Sequence, residues 1–168
     1  MKKKLIILSI IIILILITVN IIFGTLVIKK KKIKCIDFNY DTKWKELSSD
    51  DSSVLLVNGN NSNLYLSIRN IDKNYIDSDI EDIYYAYEEE YRQNNSNFKL
   101  LDFGQTIIGS DYFNANSYYY NSSTHGSLLI IGYYNKYIIE INYSALLEYF
   151  DYDLGDIYPI INNISISC

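Results

Sequence analysis

The sequence predicts an α+β fold, an antiparallel β-sheet flanked by helices, preceded by a single transmembrane helix. Three observations support this prediction. Residues 5–28 form one long apolar run without a charge. Later segments alternate apolar and polar residues, as strands with one buried face do, and two other segments repeat apolar residues at helical spacing.

The apolar run at residues 5–28 is predicted to cross a membrane. Of its 24 residues, 19 are Ile, Leu, Val or Phe, and a helix of that length extends about 36 Å, enough to span a bilayer. A cleaved secretory signal peptide is the alternative, but its apolar region is shorter and ends at small residues. No alanine precedes Ala86, so we favour a permanent anchor.

Lysines flank the predicted span on both sides. Residues 1–4 form a basic tip, and residues 29–35 are interpreted as a short basic linker with five lysines. The lysine count alone favours a cytoplasmic domain, whereas a basic tip before a long apolar run is typical of a signal anchor. We expect a single-pass protein of the cell membrane with its C-terminal domain outside the cell, and contact with membrane lipid through residues 5–34.

Residues 36–168 are predicted to form one acidic domain. They contain seven basic and 20 acidic residues, a formal charge of −13, and their number is typical of a single domain. Such a charge repels the phosphates of nucleic acid, so we expect no nucleic-acid partner.

The first strands of this domain are predicted at residues 54–57 and 64–68. The first is a short apolar run, the second alternates apolar and polar residues, and a polar turn at 58–62 joins them into a hairpin. Upstream, Trp44 stands among charged residues and is predicted to fill one edge of the core.

A helix is predicted to begin at a capping box formed by Ser78 and Glu81 and to end at residues 94–97. Its predicted buried stripe is Ile80, Ile83, Tyr84, Tyr87 and Tyr91, with Glu81, Asp82, Glu88 and Glu89 outside it. A calcium loop on the neighbouring acids is the weaker interpretation, because Asp82 stands where such a loop requires glycine.

The rest of the chain predicts four strands and a last helix. Turn sequences separate residues 98–108, 112–120, 127–134 and 137–143, which indicates an antiparallel meander. Helical spacing returns in Leu154, Ile157, Ile160, Ile161 and Ile164. A start near Asp156 would leave Pro159 in the first turn, where proline is tolerated.

This order of elements resembles the PsbP-like superfamily over roughly residues 38–166. The resemblance is carried by Phe38 and Trp44, the strand at 64–68 before an acidic helix, the meander, and the closing segment at 143–166. It implies a PsbP-like sandwich, with an antiparallel sheet between helices, and a non-enzymatic role in binding or assembly. It supplies no functional residues for this chain.

No catalytic, cofactor-binding or metal-binding residue is predicted. His125 is the only histidine, and the hydroxyls of Ser122, Ser123 and Thr124 beside it lack the acid and oxyanion donors that acyl transfer needs. The acids around Gly155 are better explained by helix capping than by a metal. Tyr118, Tyr119 and Tyr120 are a candidate stacking platform for sugars or bases. We favour a different explanation, because the codon use of an AT-rich genome also enriches tyrosine.

Cys35 and Cys168 are the one specific structural candidate. They bracket the domain, and outside the cell they could form a disulfide worth about 5 kcal/mol by the chain-entropy model. Intermolecular pairing and two free thiols are the alternatives that the sequence leaves open.

The predicted function is a membrane-anchored extracytoplasmic binding or assembly module without catalytic activity. Its partner is an unknown protein or envelope component. One alternative is an accessory subunit of a membrane complex, for which Asn20 and Gly24 on one face of the span are a hint. A small cell-envelope hydrolase is the other alternative.

Overall fold

The computed structural model describes residues 28–109 and 113–168. The predicted transmembrane segment therefore lies outside the described residues, except for Ile28. Within the described ranges, no helix combines the length and the apolar character needed to cross a bilayer.

Ten strands and two α-helices make up the described part of the chain. The strands are β1 (Ile28–Ile33), β2 (Ile36–Asp41), β3 (Lys45–Ser49), β4 (Ser53–Val57), β5 (Asn63–Asn70), β6 (Lys99–Ile108), β7 (Phe113–Asn121), β8 (His125–Tyr134), β9 (Tyr137–Leu146) and β10 (Ser165–Ile166). The helices are α1 (Ile80–Asn94) and α2 (Leu147–Asn162), with a 3₁₀ turn at Lys73–Tyr75.

The strands form two antiparallel sheets. The large sheet has seven strands in the order β3-β4-β5-β9-β8-β7-β6, and the small sheet has three in the order β1-β2-β10. The predicted hairpin of residues 54–57 and 64–68 is confirmed as β4 and β5, and the predicted meander as β6 to β9. The α+β class with an antiparallel sheet and flanking helices is thus confirmed.

One face of the large sheet is covered by α2 and the small sheet. This core is mainly aliphatic, because alternate positions of β4, β5, β8 and β9 carry Val, Leu or Ile. Trp44 is fully buried within it, as predicted. We call this side the α2 face.

The other face is covered mainly by α1, and we call it the α1 face. Tyrosines dominate here: Tyr84, Tyr87, Tyr91, Tyr118 and Tyr120 are buried beside Ile83, Leu129, Ile131 and Ile138. The predicted stripe of α1 is confirmed at four of its five positions; Ile80 is instead 41% exposed, at the start of the helix.

Two details predicted for α1 are wrong. The N-cap residue is Asp79 rather than Ser78, and the Asp79 side chain makes no capping hydrogen bond; the Ser78 amide closes a turn onto the carbonyl of Tyr75. Glu88 is buried, not exposed, since its carboxylate accepts a hydrogen bond from the Tyr120 hydroxyl.

Helix α2 begins at Leu147, not near Asp156, so the predicted start is wrong and Pro159 lies in the last turn. Proline has no amide hydrogen to donate to the carbonyl one helical turn earlier. Pro159 is on the exposed side of the helix, so that carbonyl can bond water instead. Asn163 follows the helix, and its side chain donates a hydrogen bond to the Pro159 carbonyl at 2.7 Å.

Residues 28–33 form a strand of the domain, which corrects the interpretation of 29–35 as a linker. Strand β1 pairs along its whole length with β2, from Ile28 opposite Asp41 to Ile33 opposite Ile36. Ile33 is fully buried and attaches β1 to the core. The lysines around it give the segment no alternation of apolar and polar residues, so the sequence does not predict a strand there.

Candidate functional site

Cys35 and Cys168 form a disulfide in the structure, with their Cα atoms 5.1 Å apart. Cys35 lies in the turn between β1 and β2, and Cys168 follows β10, which pairs with β2. The Ser167 amide also donates to the Cys35 carbonyl at 2.8 Å. The bond therefore links the start of the small sheet to the end of the described chain.

His125 begins β8 at the rim of an open cleft of about 850 Å³. Its Nδ1 lies 2.8 Å from the Thr124 hydroxyl, and its backbone amide donates to the Ser122 hydroxyl at 3.0 Å. The described residues that line the cleft are Asn97, Phe98, Lys99, Asn121, Ser122, Ser123, Thr124 and His125. None of these carries a carboxylate, so the lining does not offer an acid to orient the imidazole.

The acids around Gly155 separate into different contacts. Asp153 is buried and accepts hydrogen bonds from Asn58, Asn60 and Ser62, so it fastens the β4–β5 turn to α2. Asp156 pairs instead with Lys43. Within the described ranges, no three His, Cys, Asp or Glu side chains are grouped to hold a metal ion.

Tyr118, Tyr119 and Tyr120 do not share a surface. As successive residues of β7 they alternate, so Tyr118 and Tyr120 are buried on the α1 face while Tyr119 packs on the α2 face. There the Tyr119 hydroxyl lies 2.8 Å from that of Tyr158. Strand geometry thus rules out a platform built from all three rings.

A charged cluster on the α1 face was missed by sequence analysis. The Arg69 guanidinium lies 4.4 Å from the centre of the Tyr87 ring, bonds both oxygens of Glu90 at 3.3 and 2.9 Å, and approaches Glu140 to 3.9 Å. Burial raises the pKa of Glu140, an effect that Arg69 partly offsets. A cleft of about 420 Å³ opens beside Arg69 and Glu90.

This cluster connects α1 to β5 and β9. Arg69 is already bonded to Glu90, so its charge is not free for an anionic ligand, and the cluster is best explained as a clamp between helix and sheet. The only sequence signal is the position of Arg69 on the face opposite Leu66 and Ile68, which gave no indication of its partners.

The lysines of β1 are also largely engaged within the domain. Lys31 pairs with Glu46 at 2.9 Å and Lys32 with Asp37 at 3.4 Å. The Lys34 ammonium lies 4.1 Å from the centre of the Tyr137 ring. Much of this charge is thus compensated by the protein itself.

Among the described residues, the edge strand β6 carries a group of exposed apolar side chains. Among the described strands it pairs only with β7, and nine of its ten residues are not buried. Leu100 is 44% exposed, Leu101 65%, Phe103 69% and Ile107 50%. We call these four side chains the β6 patch.

Neither helix extends over the β6 patch. Helix α1 packs on side chains of β7, β8 and β9, and α2 contacts β9, β8 and β2. A helix is about 10 Å wide and strands are about 4.8 Å apart, so one helix covers only two or three strands. Sequence analysis identified residues 98–108 as a strand but could not show that it stands at an edge.

Comparisons with known proteins give matches by structure alone. No family model matches the sequence, and no curated protein does. The solution structure of cyanobacterial PsbP (CyanoP) from Synechocystis sp. PCC 6803 has a TM-score of 0.63 and 12% identity, covering 86% of this chain and 95% of that one.

Two further solved structures are similar. The Ran-binding protein Mog1p of Saccharomyces cerevisiae has a TM-score of 0.57 and 7% identity, covering 84% of this chain and 96% of that one. LpqN of Mycobacterium tuberculosis, described as involved in cell envelope biogenesis, has a TM-score of 0.54 and 12% identity, covering 84% and 92%. The chain therefore has the PsbP-like fold that its order of elements predicts.

Proposed function

We propose that this chain is a membrane-anchored extracytoplasmic module that binds or assembles with a protein partner and has no catalytic activity. The observation that carries the proposal is the β6 patch, four exposed apolar side chains on one edge strand, because grouped exposed apolar side chains are typical of interaction sites. The names of two neighbours, a Ran-binding protein and a protein of cell envelope biogenesis, are consistent with such a role.

The proposed anchor is the apolar segment before β1. Residues 5–27 remain long enough to cross a bilayer as a helix of about 35 Å. Since β1 begins at Ile28, almost no spacer separates the segment from the small sheet. We expect the small sheet to lie close to the bilayer, with the exposed Lys29 and Lys30 of β1 near the lipid phosphates.

Placement outside the cell is supported by the disulfide. Disulfides persist in oxidising compartments and are rare in the cytosol. The pair of Cys35 and Cys168 closes a loop over a sequence separation of 133 residues, so its loss in a reducing compartment would cost much of the stability of the domain.

A hydrolase is the second candidate function, and only the cleft beside His125 favours it. We rank it lower because the lining of that cleft has no acid to orient the imidazole. An accessory subunit of a membrane complex is a special case of the main proposal, in which the partner shares the same membrane.

Cell fractionation and protease protection test the anchor and its orientation. We expect the full chain in the membrane fraction after carbonate washing, and its domain degraded by protease added to intact cells. A control chain lacking residues 1–27 should be recovered in the soluble fraction. Release of the full chain by carbonate would contradict the anchor, and complete protection from protease would contradict the orientation.

A further inference from the structure

We propose that β6 binds an extended segment of the partner that is both apolar and basic, and that this segment joins the large sheet as an eighth strand. The inference rests on the proposed function and specifies the surface and the chemistry of its partner.

The backbone of β6 provides the first argument. Its register with β7 runs from Lys99 opposite Asn121 to Ile108 opposite Phe113, with one irregularity between Leu100 and Asp102. The regular part after that irregularity is long enough for several ladder hydrogen bonds. An edge strand presents amides and carbonyls on its outer side, which an added strand can satisfy. On β6 the Phe103 amide already donates to the Asp102 side chain at 2.9 Å, so an added strand would have to displace that carboxylate.

The side chains of β6 provide the second argument. Phe103 and Ile107 are paired with Tyr118 and Asn114 and therefore stand on the α1 face. The α1 helix reaches β7, where Tyr118 and Tyr120 are buried and the Tyr84 hydroxyl donates to the Asn114 carbonyl. Phe103 and Ile107 on β6 nevertheless stay 69% and 50% exposed, so there is open surface beside them. An added strand would place its own apolar residues against them.

The opposite edge of the large sheet shows what a protected edge looks like. Strand β3 has five residues, and its register shifts between Glu46 and Ser48. The Lys31 ammonium, from β1, bonds Glu46 and Ser49 at 2.9 Å each. Short length, a bulge and charges are the usual protections of an edge; β6 also has one irregularity, but it is twice as long as β3.

Charge identifies the kind of partner. The folded domain, residues 28–168, contains 12 basic and 20 acidic residues, a formal charge of −8, and Glu81 on α1 is an exposed acid that acts on Tyr118, the strand partner of Phe103. Two copies of this acidic domain would repel each other, which disfavours pairing of β6 with itself. A segment that alternates apolar and basic residues would gain from both the apolar patch and the field.

A binding experiment with a defined peptide tests this chemistry. Full-length protein in lipid nanodiscs is titrated into a fluorescent ten-residue peptide alternating isoleucine with lysine, and into a matched peptide with glutamate in place of lysine. We expect binding of the lysine peptide only, weakened by salt. Phe103→Lys and Ile107→Lys should each reduce the affinity by about tenfold or more, because a buried apolar contact is replaced by a like charge.

The matched control is Leu47→Lys, since Leu47 is 66% exposed on the other edge strand. It should leave the affinity unchanged, and thermal unfolding should show that all three variants remain folded. Absence of binding, equal binding of both peptides, or equal loss in Leu47→Lys would each overturn the assignment to β6.

Site-specific photocrosslinking in intact cells separates this inference from the proposed function. A photoreactive residue at position 103 should give one adduct whose crosslinked segment is rich in lysine or arginine and apolar residues, whereas position 47 should give none. An adduct with a second copy, or adducts only from position 47, would overturn the β6 inference and leave the binding function standing. No protein adduct from position 103, 47 or any other exposed position would overturn both.

Discussion

The two faces of the large sheet are built from different chemistry. The α2 face is filled by aliphatic residues, and two layers of structure, α2 and the small sheet, cover it. The α1 face is filled by tyrosines, whose hydroxyls bond polar partners, and it is covered mainly by a single helix. The comparison shows that the two faces of one sheet can differ in role. The α2 face holds the fully covered aliphatic core, which contributes most to the free energy of unfolding, whereas the α1 face leaves β6 accessible.

The hydroxyl network of the α1 face illustrates the difference. The Tyr91 hydroxyl lies 2.7 Å from that of Ser127, which donates to Asn142 at 3.2 Å. Burial raises the pKa of both Tyr91 and Tyr120, and for Tyr120 the carboxylate of Glu88 raises it further. Both hydroxyls therefore stay protonated to higher pH than a free tyrosine, and the Tyr120 hydroxyl donates to Glu88.

The largest expected effect comes from removing the disulfide between Cys35 and Cys168, which lies at the small sheet on the α2 face. The double variant Cys35→Ser, Cys168→Ser should lose about 5 kcal/mol of unfolding free energy, because the denatured chain regains the freedom of a long loop. Denaturant titration of the oxidised protein and the variant measures this loss. A variant as stable as the oxidised protein would contradict the expectation.

Truncation of an aliphatic side chain on the α2 face should have the next largest effect. Ile141 on β9 is 1% exposed, so Ile141→Ala should cost about 2–5 kcal/mol through lost burial and a remaining cavity. Chemical denaturation provides the value, with the exposed Ile76→Ala as control. A loss below about 1 kcal/mol would show that this face repacks freely.

A smaller effect is expected when one hydroxyl is removed from the α1 face. Tyr120→Phe should cost about 1–3 kcal/mol, because the buried carboxylate of Glu88 loses its donor. The double variant Tyr120→Phe, Glu88→Met should recover much of that loss, since both polar partners are then absent. Additive losses in a double-mutant cycle would mean that the two groups are not coupled.

The smallest effect is a difference in pH dependence between the faces. A raised pKa of Glu140 in the folded state means stability that is present below the ordinary pKa and lost as pH rises through the raised value. Glu140→Gln should therefore gain stability relative to wild type as pH increases from 4 to 8. Thermal unfolding across this pH range gives the comparison.

Glu46 is the matched control, because hydrogen bonds from Ser49 and Lys31 lower its pKa. The stability contributed by Glu46 is present above its ordinary pKa and lost as pH falls through the lowered value. Glu46→Gln should thus be less stable than wild type at neutral pH, with the difference shrinking in acid. The same sign for both variants would contradict the comparison.

The parts of the fold that sequence predicts are those fixed by local spacing. Alternation in residues 64–68 and helical spacing from Ile83 to Tyr91 come from the backbone geometry of strands and helices, so both are confirmed. The PsbP-like order of the elements from β4 onward is confirmed for the same reason, because the spacing within each of these segments indicates its type.

The parts that sequence missed depend on contacts between distant residues. Pairing of β1 with β2 rests on burial of Ile33, which a lysine run conceals. The clamp of Arg69 needs Glu90 and Glu140 from two other elements, and the exposure of Phe103 depends on its place in the strand order. Periodicity along one segment carries no information about any of these.

The sulfur bridge between Cys35 and Cys168 has a consequence for degradation. Every peptide bond between these two residues lies inside a covalent ring, so a single cut in an exposed loop releases no fragment. A nicked molecule would keep both pieces joined, and would run as one band on a gel until a thiol is added.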